Sequence, residues 1–359
     1  MKKINVAVVG ATGAVGTEML RVLQQRRFPV VGLKVLASAR SEGRRVPFNG
    51  STYRVEELTP RSFAGIDVAL FSAGAARSLE FAPEAVKRGA IVVDNSSAFR
   101  MAPEVPLVIP EVNPRALKGH QGLIANPNCS TIIMLVPLAP LHRAARITRI
   151  IVSTYQSVSG AGAKAMFQLY DETKRALRQF QVSRSTFQVK PQLETWNLKH
   201  ETVLPKQIAF NVIPQVDLFL KNRSTKEEMK MVNETRKILG EPQLAVTSTC
   251  VRVPVFRAHS EAVWIETKRP LSAEQAARLL RKAPGVTLVD DPARGAYPLP
   301  IDAGGQDNVL VGRLRRDASV KRGLALWVSG DNLRKGAATN AIQIAELLIG
   351  GARSNFVKT

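Results

Sequence analysis

Two hydrophobic periods divide the chain. Residues 4–9 are a short apolar run suited to a buried parallel strand. The run leads straight into Gly10-Ala-Thr-Gly-Ala-Val-Gly16, and Glu18, Met19, Leu20, Val22 and Leu23 continue at helical spacing. Residues 30–36, 68–72 and 90–94 predict further strands, with a helix over 75–88 between the last two. Residues 107–109 and 122–125 predict two more. Strands alternating with helices argue for a parallel α/β sheet.

Beyond residue 128 the pattern changes. Asn126-Pro127 breaks the preceding segment, and residues 132–136 predict the first turns of a buried helix that Pro137 ends or kinks. A strand over 147–156 runs into a second glycine-rich turn, Ser157-Val-Ser-Gly-Ala-Gly162, and then a helix over 164–179. Residues 181–205 show no clear period and predict a loop or an interface segment. A short strand is predicted over 210–215. Ser224-Thr225-Lys226-Glu227-Glu228 opens a helix, and either Thr225 with Glu228 or Ser224 with Glu227 has the spacing of a capping box. Residues 247–255, 262–267, 309–314 and 324–328 predict an antiparallel sheet, and a last helix over 335–349 follows Gly330-Asp331-Asn332.

A chain of 359 residues with this patterning should hold two domains of ordinary size. Its 45% hydrophobic and 22% charged residues are those of a soluble globular protein with a large core. Two cysteines far apart make no disulfide framework and suit a reducing cytoplasm. The opening run reads as a first strand rather than a signal peptide. No stretch approaches the roughly 18 apolar residues of a membrane span. The charge is unusual: 51 Lys and Arg against 29 Asp and Glu, a net +22. Polyanion binding and a basic enzyme surface with anionic ligands are the two readings of that excess. No basic run of five occurs; Arg313-Leu-Arg-Arg316 and Lys321-Arg322 are the densest clusters. Without zinc-finger spacing or the aromatic-basic signature of an RNA-binding sheet, neither a metal nor specific nucleic-acid recognition is expected.

Four stretches carry candidate chemistry. Strand, glycine turn and helix start follow one another at Gly10, Gly13 and Gly16, the context a dinucleotide fingerprint requires. The spacing is G-x-x-G-x-x-G rather than G-x-G-x-x-G. At the end of the second strand Ala37-Ser-Ala-Arg-Ser41 offers Arg40 between Ser38 and Ser41, and no acid. A guanidinium flanked by hydroxyls suits a ribose 2′-phosphate, which favours NADP over NAD. Cys129 follows Asn128 at a predicted helix N-terminus, where free amides and the helix dipole favour a thiolate. Of four histidines, His259 alone lies among functional residue types, Arg252-Val-Pro-Val-Phe-Arg-Ala-His259. A thiol nucleophile needs such a base and acid partner.

These stretches, with Asn95-Ser-Ser-Ala-Phe-Arg100, Asn126-Pro-Asn-Cys-Ser-Thr131, Thr154-Tyr-Gln-Ser-Val-Ser-Gly-Ala-Gly162, Glu227-Glu-Met-Lys230 and Asp331-Asn-Leu-Arg-Lys-Gly-Ala-Ala338, resemble the bacterial aspartate-semialdehyde dehydrogenases over nearly the whole chain. The resemblance implies an α/β fold: a Rossmann-type NADP-binding domain over 1–128 and 330–359, and an α+β catalytic and dimerisation domain with a mixed, largely antiparallel sheet over 129–329. It implies reversible conversion of 4-phospho-L-aspartate and NADPH to L-aspartate 4-semialdehyde, phosphate and NADP, on the way to lysine, threonine and methionine, in a cytoplasmic homodimer. By the match Cys129 forms a thioester, His259 is the acid/base and Gln156 orients the reacting group. Arg100, Asn128 and Lys230 hold phosphate, Arg252 the α-carboxylate and Glu227 the α-ammonium. Gly10, Thr12, Gly13, Ala14, Val15, Gly16, Ser38, Arg40, Ser41, Ser72, Gly74, Ser159, Gly160 and Asn332 form the cofactor site.

The chain departs from the family pattern at Ser157, where alanine is common, and at Lys206 and Gln215, where histidine is common. Three alternatives stand beside this reading. They are an N-acetyl-γ-glutamyl-phosphate reductase, a malonyl-CoA reductase and a non-catalytic paralogue. The first has an uncharged acetylated nitrogen that leaves Glu227 without a partner.

Overall fold

The computed structural model describes residues 3–179 and 202–350. The opening apolar run is β1 (Ile4–Val9), and the glycine turn delivers it into α1 (Ala14–Gln25). β2 (Val30–Ala37), a hairpin of β3 (Arg45–Phe48) and β4 (Ser51–Arg54), and the two-residue β5 (Glu56–Glu57) follow. β6 (Val68–Phe71), α2 (Ala75–Lys87), β7 (Ile91–Asp94) and β8 (Leu123–Ala125) complete the first half. The sheet has the order β5-β2-β1-β6-β7-β8, with every pairing parallel. β1 and β6 are covered on both faces, which is why they read as unbroken apolar runs. The chain winds outward from β1 in both directions, to β2 on one side and β6 on the other. The crevice at the C-terminal ends of these strands is the switch point where such sheets take ligands, and Gly10 leaves β1 there.

The expected strand over 107–109 is only a single bridge between Leu107 and Ala125. Pro106 and Pro110 flank it, and neither can donate to a ladder.

The second half begins with α3 (Cys129–Ala145), then β9 (Ile147–Gln156), α4 (Ala163–Gln179) and α5 (Lys226–Leu239). β10 (Ala245–Arg252), β11 (His259–Thr267), α6 (Ala273–Lys282), β12 (Val286–Leu288) and the single turn α7 (Pro300–Ala303) come next. β13 (Val309–Asp317), β14 (Gly323–Gly330) and α8 (Thr339–Gly350) close the described chain. The second sheet runs β10-β9-β11-β14-β13-β12. Its three inner pairings are antiparallel and its two outer ones parallel, so the sheet is mixed, as the family resemblance implies, but β10, expected to be antiparallel, pairs in parallel with β9 at the edge. Ile132 and Leu135 of α3, Met231 of α5 and Leu280 of α6 pack with Val152, Val263 and Leu326 of the sheet.

Three expectations need correction here. α3 does not end at Pro137; it continues through Pro137 and Pro140 to Ala145. Each proline costs the helix about 3 kcal/mol. Ile132, Ile133, Leu135, Leu138 and Leu141 are all fully buried, and each such side chain contributes about 1.5–3 kcal/mol, which outweighs that cost. The strand expected over 210–215 is one bridge, Ile213 to Arg252, because Phe210 takes a left-handed φ of 56° and Pro214 has no donor. The strands expected over 247–255 and 262–267 are shifted: one ends at Arg252, and the other starts at His259.

The last helix is preceded by a π-helical turn, Arg334–Ala338. Ile342 and Ile344 of α8 then share a core with Leu20 and Leu23 of α1, so α8 packs on the first half of the fold. The expectation for 181–205 falls, up to residue 201, outside the described residues. Arg315, Arg316, Lys321 and Arg322 are exposed near the β13–β14 turn. At about 3.3 Å per residue, the start of β14 lies roughly 23 Å from Gly330, which pairs with His259. The basic clusters therefore stand away from the site described below. Among the described residues no helix is long and apolar enough to cross a membrane.

Candidate active site

Asn126 and Pro127 join the two halves. The Asn126 amide donates to Asn95 Oδ1 at 2.6 Å, and its Oδ1 accepts from Asn340 at 2.7 Å, which fixes the junction between both ends of the first half. Asn128 then caps α3: its Oδ1 accepts from the amides of Ser130 at 3.0 Å and Thr131 at 3.2 Å. Cys129 stands on the first turn and opens onto a cleft of about 600 Å³. The expectation of a thiolate favoured by the helix end is overturned. Burial, then the Glu227 carboxylate, push the Cys129 thiol up to about 12; Arg100, Arg252 and the Ser130 amide act against this without reversing it.

Glu227 is the hub of the opposite wall. Thr225 is the helix cap and Glu228 completes the box, which leaves Glu227 free to turn inward, where it is buried. Its Oε1 accepts from Asn128 at 2.8 Å and Gln156 at 3.2 Å, and its Oε2 from Lys230 at 3.1 Å. Lys230 is also bound by Asp217 at 2.8 Å. Burial alone would lower Lys230, but Glu227 and Asp217 hold it above its ordinary value. Gln156 donates to Ser130 Oγ at 2.9 Å as well. Arg100 is held by the Asn126 and Asn95 carbonyls and by Glu234 at 3.0 Å, which leaves two of its five N–H groups for the cleft. Glu234 also accepts from the Asn128 amide at 2.6 Å, and its burial raises its pKa.

Arg252 and His259 face each other across Gly160. A Cβ at Gly160 would lie 2.9 Å from Arg252 Nη1 and 3.3 Å from His259 Nε2, so only glycine leaves both groups their places. Arg252 donates to the Ser157 carbonyl at 2.8 Å, while its buried Nε has no partner among the described residues. Burial lowers its pKa, with Glu227 opposing. His259 is fully enclosed, and burial followed by the Arg252 charge holds it well below the usual histidine range. Its Nδ1 accepts from the Ser157 amide at 3.1 Å, and its Nε2 has no partner among the described residues.

The glycine turn supplies the other wall. Gly10 has φ +83°, and a Cβ there would meet the Ser72 carbonyl at 2.4 Å; one on Gly16 would meet the Gly10 carbonyl at 2.1 Å. Gly13 caps α1 without a side-chain bond, and no acid sits in the first turn. The free amides of Ala14, Val15 and Gly16 and the positive helix end therefore fit a pyrophosphate. Thr12 Oγ1 reaches Ser41 Oγ at 3.4 Å, tying this turn to the exposed Arg40 loop. Ser38 caps that loop's short helix, Ser72 follows β6, and Gly74 precedes α2 at φ +85°. Ser159 and Asn332 bond each other at 3.0 Å, and both line the cleft with Val15.

The model for the NAD-binding domain of semialdehyde dehydrogenases matches residues 5–120, and that for their dimerisation domain matches residues 138–335. The chain is 50% identical over 347 residues to the aspartate-semialdehyde dehydrogenase of Aquifex aeolicus, covering 96% of this chain and 97% of that one. It is 51% identical over 346 residues to that of Bacillus subtilis, at the same coverage. The chain belongs to the aspartate-semialdehyde dehydrogenase family. A crystal structure of aspartate semialdehyde dehydrogenase II from Vibrio cholerae superimposes with a TM-score of 0.90 at 48% identity, covering 98% of this chain and all of that one. A second structure of that enzyme is a complex with ASA. The family is one of oxidoreductases, with a nicotinamide-dinucleotide domain followed by a dimerisation domain, and both sheets are here.

Within this member of the aspartate-semialdehyde dehydrogenase family, one cleft brings together Cys129, Gln156, Arg100, Asn128, Glu227, Lys230 and Arg252, with Ser159, Gly160 and Asn332. His259 stands behind Gly160. Sequence reasoning missed four contributors. Glu234 shares a helix face with Glu227 and Lys230, a legible i, i+3, i+7 spacing. Asp217 carries no local signal. Gly336 allows its turn to approach Cys129, since a Cβ there would lie 2.9 Å from the cysteine Cβ. Ser157 was noticed only as a departure, and it contacts His259 directly.

Proposed function

We propose that the chain is an NADP-dependent, phosphorylating aspartate-semialdehyde dehydrogenase working through a Cys129 thioester. The carrying observation is the cleft itself: an open thiol at a helix N-terminus, with Glu227 and Lys230 on one side and Arg252 and His259 on the other. The substrate has an acyl phosphate, an α-carboxylate and an α-ammonium. Arg252, whose buried Nε has no partner among the described residues, suits the carboxylate, and Glu227 suits the ammonium. Lys230, Arg100 and Asn128 supply the cationic and amide side for phosphate.

A thiol held near 12 cannot ionise by itself at neutral pH, so His259 takes its proton as sulfur attacks the acyl carbon and phosphate leaves. Gln156 holds the carbonyl; after hydride addition the thiohemiacetal oxyanion collapses to the aldehyde with cleavage of the C–S bond, and His259 returns its proton to the departing Cys129 sulfur. The bound nicotinamide supplies the hydride. Arg40 with Ser38 and Ser41 supports NADP over NAD. Division into 1–128 with 330–359 and 129–329 is supported by α8 packing on α1. A homodimer is supported by the family's dimerisation domain and by exposed Phe167, Tyr170, Val212 and Phe219. Two free cysteines suit the cytoplasm.

The test is phosphate-dependent reduction of NADP and NAD by aspartate semialdehyde, beside the N-acetylated glutamate analogue. Turnover with the free amine and NADP is expected; turnover of the acetylated substrate alone would sink the reading.

A further inference from the structure

The acid/base histidine can act as a base at Nε2 only when Nδ1 carries the ring proton, and as an acid only when both nitrogens do. The Ser157 N–H works against both forms, pointing at Nδ1 from 3.1 Å, while a backbone contact with Ala258 acts the other way on the charged ring. The Ser157 amide favours the neutral ring with its proton on Nε2. The Ser157 hydroxyl lies 3.0 Å from the same nitrogen, and a hydroxyl can accept as well as donate. Its own proton has two other destinations: Ser159 Oγ at 3.0 Å and Asn332 Oδ1 at 3.2 Å. Asn332 is held in turn by the Ala258 amide at 3.0 Å and by Ser159. With its proton directed to Asn332 or Ser159, Ser157 Oγ presents a lone pair to Nδ1.

We propose that Ser157 is a positioning residue for His259: its hydroxyl accepts the Nδ1 proton and favours the base and acid forms of the ring against the opposing backbone amide, beyond what the alanine common at this position in the family provides. Ser157 stands to His259 as a third group that orients a base behind a nucleophile. The arrangement is specified by one buried network in which Asn332 and Ser159 orient the hydroxyl and the hydroxyl orients the ring. Other charges facing His259 are constant across it. Arg252 on β10 opposes the imidazolium, and Glu227 on α5 and Cys129 on α3 reach the ring's surroundings through Arg252. Asp331, beside Asn332, is engaged by Arg257 at 2.6 Å. The proposal rests on the reading of His259 as the acid/base group.

The experiment compares wild type, Ser157→Ala and Ser157→Thr by ¹⁵N NMR of labelled histidine, with His259→Asn for assignment, and by pH profiles of kcat/KM. In Ser157→Ala the Nε2–H tautomer should gain population at the expense of the Nδ1–H form. The acid limb should move down by about one unit, and kcat should fall about ten-fold, with both KM values within about two-fold of wild type. Ser157→Thr keeps the hydroxyl and should restore tautomer and profile. Unchanged tautomer populations and an unchanged acid limb in Ser157→Ala would overturn the proposal. So would a loss that Thr fails to restore while the NMR spectrum is wild-type. Full turnover in His259→Asn would instead defeat the acid/base reading, leaving the NMR comparison to decide the role of Ser157.

Discussion

Around Gly10 to Gly16 the protein presents backbone to the cleft; around Cys129 it presents side chains. The glycine turn works because it lacks side chains, with free amides at the start of α1 and carbonyls too close for any Cβ. The Cys129 wall has almost no free groups. Glu227, Lys230, Arg100 and Glu234 are already bonded to one another and to the α3 cap. The first wall can bind an anion as it stands. The second must exchange internal ion pairs for substrate contacts. That exchange selects a ligand carrying both signs of charge, since a lone phosphate leaves Glu227 without a partner.

The two walls should fail differently. Cys129→Ala should reduce phosphate-dependent turnover by at least about ten-thousand-fold while NADP affinity, read by fluorescence titration, stays within about two-fold. Preserved turnover would remove the nucleophile from this wall. Gly10→Ala should do the converse at greater structural cost. A φ of +83° and a carbonyl 2.4 Å away predict a loss of about 2–4 kcal/mol in denaturant unfolding and much weaker NADP binding. Arg252→Lys keeps the charge but loses the planar fork, and should lower kcat/KM for the semialdehyde about a hundred-fold, chiefly through KM. Arg40→Ala should shift the NADP/NAD preference about ten-fold toward NAD without changing the semialdehyde KM; an unchanged ratio would place 2′-phosphate recognition elsewhere. The smallest effect tests the charge balance at sulfur. Burial and Glu227 both raise the thiol, so Glu227→Gln should lower its pKa, and alkylation by iodoacetamide at pH 8 should speed up by about three- to ten-fold. In the unmodified protein the alkylation rate should keep rising with pH past 10, since a thiol near 12 has no plateau below that.

Much of this could be read along the chain. The strand–turn–helix at Gly10, the α3 start at Cys129 and the α5 capping box all depend on residues within six positions of each other. Even the box was ambiguous by one residue, and Thr225 rather than Ser224 as cap is what turns Glu227 inward. The i, i+3, i+7 face of α5 was legible but unread at Glu234. Gly336 and Asp217 could not be assigned from the sequence, because their partners lie 207 and 13 residues away.

The amino-acid sequence by itself determined the elements whose physics is local. Glycine permits a left-handed turn wherever it stands, a short polar side chain caps the helix that follows it, and an apolar run of six makes a buried strand. It determined the family too, since enough such stretches recur together. Only the tertiary structure decided the state of the reacting groups. α3 passes through two prolines because burial from all sides outweighs the lost ladder bonds. The Cys129 thiol is raised, not lowered, because desolvation and a carboxylate from α5 exceed the pull of its own helix end. Ser157 reaches His259 because β9 and β11 are adjacent strands whose ends meet behind Gly160. Desolvation, charge and tautomer depend on neighbours in space, and those are set when the two sheets close around α3.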